Sequence, residues 1–366
     1  MINRRRFLQD SLLATAGIAS LAQSAAAQIT VQDEESNVAR RDGQSAPIVF
    51  DLHAHPGATF QKGRPDFRGD DAHRQTVASM QAGGLTGAFF SLVADAPLME
   101  LTPTGVVVLG AYAKGDGPRE YQRQLADLRA LIGTTSAFIA TRASDLQRAV
   151  RDHTVAAYLA CEGGEFLDGD AGRIDQLYAD GVRSLQLVHY APNILGDLQT
   201  QPRQHGGLSA AGKRIAKRLS AKGMVIDVAH ASFESVRDVA SLTTAPIILS
   251  HSILQMDDAR PIAARAISVE HAKLVASTRG VIGAWPSGFN ASFDEFVANT
   301  VRLIDTVGID HVGLGTDMDG NFNPVLGDYR QVPDWLTALR GKGLSSSDVA
   351  KVAGGNMQRV LTQIIG

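Results

Sequence analysis

The sequence predicts a (β/α)8 barrel, a TIM-type α/β fold, on three observations. From Pro47 onward, eight short apolar, β-rich runs alternate with longer amphipathic stretches, as parallel strands buried on both faces and joined by helices do. An open doubly wound sheet, the rival, would be favoured by a Gly-rich phosphate turn after the first run, and His53-Ala54-His55-Pro56 stands there instead. Histidines and carboxylates collect at the ends of the runs and are nearly absent from their middles.

In order, the strand runs cover residues 48–52, 87–93, 155–160, 182–188, 224–228, 247–249, 280–285 and 312–315, and the clearest helical stretches cover 209–222, 269–278 and 293–307. One long excursion, roughly residues 94–154, separates the second and third runs and carries a helical segment at 119–132. Before the barrel, Asn3-Arg4-Arg5-Arg6-Phe7-Leu8-Gln9 has the paired arginines and Phe-Leu of a twin-arginine export motif, followed by a short apolar segment and Ala25-Ala26-Ala27. That order is the charged, apolar, small-residue order of a cleavable signal; a basic tail or an uncleaved anchor is the alternative. The expected organisation is a signal peptide at residues 1–27, a polar linker at 28–46 and a barrel at 47–366. The destination would be the periplasm or the exterior, with the twin-arginine export machinery as a partner.

Composition narrows the function classes. The 366 residues carry 35 Lys+Arg and 38 Asp+Glu, a net charge of −3, which excludes the basic footprint of a nucleic-acid binder. Cys161 is the only cysteine, so no intrachain disulfide framework or thiolate zinc knuckle exists. No apolar run reaches the ~18 residues that crossing a bilayer requires.

In a barrel the C-terminal strand ends converge on one mouth, where catalytic side chains sit. His53 and His55 end the first run, Glu162 follows the third, His189 ends the fourth, His230 the fifth and His251 the sixth, and Asp317 follows the eighth. Each has a plainer reading alone: Asp317 as a turn former, Glu162 as a loop carboxylate, His251 as a core histidine. Together they share one predicted cavity. The side-chain period of two puts His53 and His55 on one strand face, suited to chelating one metal. His73, His153, His205, His271 and His311 read as surface residues, with His311 at the wrong barrel end. Neutral imidazoles and a carboxylate suit Zn²⁺, with Mn²⁺, Fe²⁺ or Co²⁺ as alternatives. Four His plus Glu162 exceed one tetrahedral catalytic zinc, whereas two metals bridged by Glu162 use them all and leave room for a bridging hydroxide. Asp317 is then the candidate general base.

With these residues in view, the sequence resembles the membrane dipeptidase (renal dipeptidase) family of zinc metallopeptidases in the amidohydrolase superfamily. The resemblance covers nearly everything after Val49 and rests on Glu162-Gly163-Gly164, Gly207-Leu208-Ser209-Ala210-Ala211-Gly212 through Ile226-Asp227-Val228-Ala229-His230, Pro246-Ile247-Ile248-Leu249-Ser250-His251-Ser252 and Gly315-Thr316-Asp317-Met318-Asp319-Gly320. It implies two zincs, one held by His53 and His55 and one by His230 and His251, with Glu162 bridging. It further implies that Asp317 handles the proton, that His189 lies beside the substrate carbonyl, and that an arginine after the sixth strand binds the substrate carboxylate. Arg265 is the first choice and Arg260 the second. The expected activity is hydrolysis of dipeptides or similar small amides by an exported binuclear zinc enzyme, with a homodimer as the candidate assembly. The alternatives are another amidohydrolase acting on an N-acyl amino acid, lactone or ester, or a non-catalytic periplasmic binding protein. Two departures stand out: His53-Ala54-His55 where relatives have His-x-Asp, and Trp285-Pro286 where some relatives place a tyrosine.

Overall fold

Parallel strand pairing closes on itself. In the computed structural model, which describes residues 47–102, 105–256 and 259–366, β1 (Phe50–Ala54), β2 (Gly87–Val93), β6 (Val155–Glu162), β7 (Val182–Gln186), β8 (Val225–Asp227), β9 (Ile248–Ser252), β10 (Val281–Ala284) and β11 (Val312–Leu314) form a ring. β2 pairs with both β1 and β6, which completes the (β/α)8 barrel the sequence predicts. The predicted signal peptide and linker lie outside the described residues.

Alternating side chains along the strands build two layers. Phe50 and Leu52 of β1, Phe89 of β2, Ala156, Tyr158 and Ala160 of β6, Val225, Ile248 and Val281 pack together inside the barrel, closed at the bottom by Met357, Val360 and Leu361 of the helix Asn356–Ile365. The intervening residues, such as Phe90, Leu92, Leu159, Leu185 and Leu249, pack outward against the helices. Four of those helices begin with a serine whose side chain accepts a backbone N–H: Ser209, Ser232, Ser268 and Ser292. Each such cap contributes about 1 kcal/mol and sets where a loop ends and a helix starts.

The excursion is richer than the sequence suggested. Its helix begins earlier, at Asp116–Ile132, and it also holds an antiparallel hairpin, β3 (Met99–Thr102) with β4 (Gly105–Val108), and a short strand, β5 (Ala137–Ile139). β5 pairs with Val155–Ala157 of β6, a stretch that β7 does not cover because its pairing begins at Leu159. These strands are too short to show a period. The first barrel strand also runs two residues later than predicted. Its pairing with β2 shifts register between Asp51 and Ala54, and that of β9 with β10 shifts within residues 249–252. Strict alternation from Leu52 or Ser250 would send His53 and His251 outward; a register shift turns both inward.

The surface reading of two histidines is corrected. His73 and His271 are buried. His73 is held by the Thr59 hydroxyl and the Pro56 carbonyl, and His271 packs edge-on to Phe233. Both lie on the inner face of an amphipathic helix, where a helical-period count rather than polarity decides burial.

The upper barrel is packed without room for side chains at some positions. A Cβ on Gly283 of β10 would lie 1.8 Å from the Ser250 carbonyl oxygen of β9, whereas one on Gly341, at the exposed end of a helix, meets nothing within 4 Å. Gly283→Ala should therefore cost about 1–3 kcal/mol in urea unfolding, and Gly341→Ala should gain up to about 1 kcal/mol. Equal effects of the two substitutions would contradict this packing.

Candidate metal centre

The barrel mouth is built around one carboxylate. Glu162 ends β6 with its side chain in phase with the interior residues Ala156, Tyr158 and Ala160, and it is buried. Its Oε2 lies 3.2 Å from His55 Nε2. Its Oε1 lies 3.4 Å from Nε2 of His53, His189 and His230, and 3.9 Å from that of His251. All five predicted histidines therefore converge on it. Asp317 joins from the loop after β11, its Oδ1 3.3 Å from His55 Nε2. Three sets of donor atoms lie mutually within 4.8 Å: His53, His55 and Asp317; His53, Glu162 and His251; Glu162, His189 and His230.

The second ring nitrogens show why Nε2 faces inward. His55 Nδ1 lies 3.1 Å from the Ser91 carbonyl, which can only accept, so that nitrogen carries a proton and Nε2 is the ring atom left for a metal. His189 Nδ1 lies 2.6 Å from Asp95 Oδ1, and His251 Nδ1 lies 3.0 Å from the Ser250 hydroxyl. His53 Nδ1 has the Ser91 and Ser250 hydroxyls at 3.4 Å. The rings pair at the centre, with Nε2 atoms 3.1 Å apart in His53/His55 and again in His230/His251. Two lone pairs at that distance repel unless a cation or a proton lies between them. The donor set, imidazole and carboxylate with no thiolate, suits a divalent transition metal.

Electrostatics divide the rings: burial lowers His55, but the Asp317 and Glu162 carboxylates push it up to about 10, whereas His230 and His251 move the other way. Burial alone would raise the Glu162 pKa, but the surrounding imidazoles, His189 and His53 first, hold it well below the usual carboxylate range. Burial and the neighbouring cation Arg265 push His230 well below its ordinary value; burial and then His53 do the same to His251. Both rings are thus neutral, as metal ligands must be.

A layer of buried acids, which the sequence reading did not single out, fixes this geometry. Asp51 accepts from the backbone N–H of His53 and Thr316 and from the hydroxyls of Thr316 and Tyr329, tying β1 to the loop that carries Asp317. Asp227 accepts from Ala229 and Ser250 N–H and joins the His230 and His251 segments. Asp95 holds His189, and Gln186 donates to the Val188 carbonyl beside Glu162. The signal was present: Asp51 and Asp227 interrupt apolar runs, and Asp95 follows a strand end as Glu162 does. His230 and Asp317 both have left-handed backbones (φ 65° and 53°), a strained conformation that concentrates at functional sites.

The two candidate arginines part company. Arg265 is buried at the mouth, one Nη 3.4 Å from His251 Nε2, its other Nη donating to Gln199 Oε1, with the Tyr190 hydroxyl and the Trp285 ring beside it. None of these four neighbours is an acid; among the described residues the carboxylates that offset its charge are Glu162 and Asp317, which act on it without forming an ion pair. Arg260 instead makes a two-point ion pair with Glu295 at 2.9 and 2.8 Å. Trp285 stands edge-on to His251, ring centres 5.3 Å apart.

Comparison with known proteins follows the same line. Residues 40–365 match the family described as membrane dipeptidase (peptidase family M19). The dipeptidase aclJ of Aspergillus oryzae is 30% identical over 222 residues, which is 57% of this chain and 52% of that protein. An uncharacterized protein in the pqqA 5′ region of Klebsiella pneumoniae is 28% identical over 263 residues, 66% of this chain and 95% of that one. The chain thus spans about half the length of the first curated relatives it matches. Among solved structures, a metallo peptidase from Rhodobacter sphaeroides liganded with a phosphinate mimic of the dipeptide L-Ala-D-Ala superposes with a TM-score of 0.74 at 21% identity, covering 87% of this chain and 100% of that one. The probable dipeptidase PvdM from Pseudomonas aeruginosa gives 0.71 at 21% identity, over 87% and 95%.

A site of this kind should couple metal to stability. Zn²⁺ added to chelator-stripped protein should raise Tm by on the order of 5 °C at saturation, and by much less in Glu162→Gln, whose neutral amide serves cations poorly. No shift in the wild-type protein would remove the metal assignment.

Proposed function

Since the chain belongs to the membrane dipeptidase family (peptidase family M19), we propose that it is a binuclear metal-dependent dipeptidase, with zinc the metal best matched to its donors. The observation that carries this reading is Glu162, both of whose oxygens face imidazole nitrogens while a carboxylate and a buried arginine stand at the rim of the same cavity. His53 and His55 on one side and His230 and His251 on the other would hold the cations, with Glu162 shared between the two pairs. Bound there, such cations supply Lewis acidity toward an amide carbonyl and activate water.

The remaining work belongs to the chain. Asp317 Oδ1 lies at the edge of the His53–His55 pair, placed to take a proton from the attacking water. Water oxygen bonds to the carbonyl carbon, the C–N bond breaks, and the proton held by Asp317 passes to the leaving amine. His189 Nε2 faces the cavity on the opposite side of Glu162, where the carbonyl oxygen gathers charge. A dipeptide has a free carboxylate one residue beyond the scissile bond. Arg265 offers that group a planar two-point donor and meets no competing acid among the contacts described. Trp285 and Tyr190 wall the same side. A hydrolase of N-acyl amino acids would use the same arginine, so substrates decide between the two.

The zinc-loaded protein should cleave L,L or L,D dipeptides in preference to N-acyl amino acids, lactones and esters, with two metals per chain by elemental analysis. Asp317→Asn should lower kcat by about 10²–10⁴ with both metals retained. Arg265→Ala should raise KM strongly for dipeptides and little for C-terminally amidated analogues. Turnover confined to non-peptide substrates, or a single firmly bound metal, would overturn the reading. We further propose export to the periplasm or exterior through the twin-arginine route, on the strength of Arg4-Arg5 and the Ala25-Ala26-Ala27 stretch. Replacing Arg4 and Arg5 by Lys should leave the precursor in the cytoplasm, and normal export of that variant would refute the assignment.

A further inference from the structure

We infer that Gln199 is a positioning residue for substrate recognition: its side-chain oxygen holds the Arg265 guanidinium at the mouth and, being neutral, leaves that charge for a substrate carboxylate. The carboxylate is that of the substrate class proposed above; the hold of Gln199 on Arg265 stands on geometry alone.

Gln199 joins two segments that are far apart in the chain. Its backbone N–H donates to the His230 carbonyl at 2.8 Å, next to an antiparallel bridge between Leu198 and Ala231, so its position is set by the segment after β8. Its side chain reaches the segment after β9. Oε1 accepts from Arg265 Nη1, and Nε2 donates to the Ala266 carbonyl at 3.4 Å. These partners fix which way the amide faces, because the reverse orientation would set NH₂ against a guanidinium and oxygen against a carbonyl.

Both ends of this contact are themselves anchored. The Asp197 carboxylate accepts the backbone N–H groups of Gln204, His205 and Gly207 at 2.7, 2.9 and 3.0 Å. Its carbonyl accepts Ser232 N–H at 3.0 Å and the Ser235 hydroxyl at 2.8 Å. Across the mouth, the Ser252 hydroxyl donates to the Arg265 carbonyl at 3.2 Å. The guanidinium carbon then lies 5.6 Å from the centre of the Trp285 ring. Arg265 Nε is buried and meets no acceptor among the described residues, so a donor remains uncommitted on a group already held in place.

The neutrality of the partner matters as much as its reach. Arg260, on the same loop, is closed by the two oxygens of Glu295. An acid at position 199 would hold Arg265 equally well but would compete with the substrate for its charge. Glutamine gives the hold without the competition.

Two substitutions in the zinc-loaded protein separate these parts. Gln199→Glu keeps the acceptor and adds a negative charge; Gln199→Met keeps the bulk and removes the acceptor. The ¹⁵N-arginine signals of Arg265 are assigned by their loss in Arg265→Lys. We expect its Nη signals to be resolved in the wild type and in Gln199→Glu, and averaged by faster rotation in Gln199→Met, with Tm and metal content held. The preference in kcat/KM for alanyl-alanine, L,L or L,D, over its C-terminal amide should fall about 10–100-fold in Gln199→Glu, mainly through KM. Equal losses on acid and amide in Gln199→Glu, an unchanged preference there, or Nη signals still resolved in Gln199→Met would each overturn the inference. If the wild type turns over no dipeptide, the proposed activity fails, and the Gln199→Met spectrum still decides whether Gln199 holds Arg265.

Discussion

A carboxylate buried among five imidazoles is the constraint from which the rest of this protein follows. Glu162 has an Nε2 within 4 Å from every strand end that contributes a histidine. Removing such a group from water is costly unless positive charge is close by. Neutral imidazoles alone supply only dipoles, and two pairs of them face each other nitrogen to nitrogen at 3.1 Å. The arrangement becomes favourable when cations sit between these donors. The chemistry of the site and the stability of the upper barrel are for that reason the same problem.

The protein solves it with a second set of buried acids that bind no imidazole Nε2. Asp51 and Asp227 each accept backbone N–H groups from two segments, Asp95 accepts those of Tyr190 and Ala191 from beyond another strand, and each joins one strand end at the mouth to a neighbour. Burial pushes Asp51 and Asp227 upward, and their hydrogen bonds pull them back. These groups set backbone positions, which is why the histidine rings can be aimed with little freedom. The left-handed backbones of His230 and Asp317 are held by the same network: Asp317 N–H donates to the His53 carbonyl, and Gln199 N–H donates to the His230 carbonyl.

Around this centre the mouth is asymmetric. Arg265, Gln199, Tyr190 and Trp285 gather on the His251 side, and Asp317 stands on the His55 side. For the function proposed above, a short substrate with an amide at one end and a carboxylate at the other would match that polarity, its reacting bond over the proposed metal ligands and its charge on the guanidinium. The tryptophan in place of a tyrosine after the seventh strand leaves the Tyr190 hydroxyl as the phenol nearest the arginine.

Much of this was legible in the sequence because strand order in a parallel barrel converts position along the chain into position at the mouth. His53, His55, Glu162, His189, His230, His251 and Asp317 could be gathered without coordinates, since each follows an apolar run and such ends converge. The hairpin and β5 escaped because runs of three or four residues carry no period. His73 and His271 escaped because burial on a helix depends on the face, and a polar residue does not announce its face. The sequence also carried both candidate arginines, Arg260 and Arg265, without a means to separate them. Only tertiary packing ties Arg260 to Glu295 and leaves Arg265 buried beside His251. The inward turn of His53 and His251 belongs to the same class, since it depends on register shifts against neighbouring strands. So does the capture of His189 by Asp95 across 94 residues of chain. Local chemistry determines which groups are able to bind a metal; the direction a side chain points is set by the strand beside it, and that neighbour is chosen by the closing of the barrel.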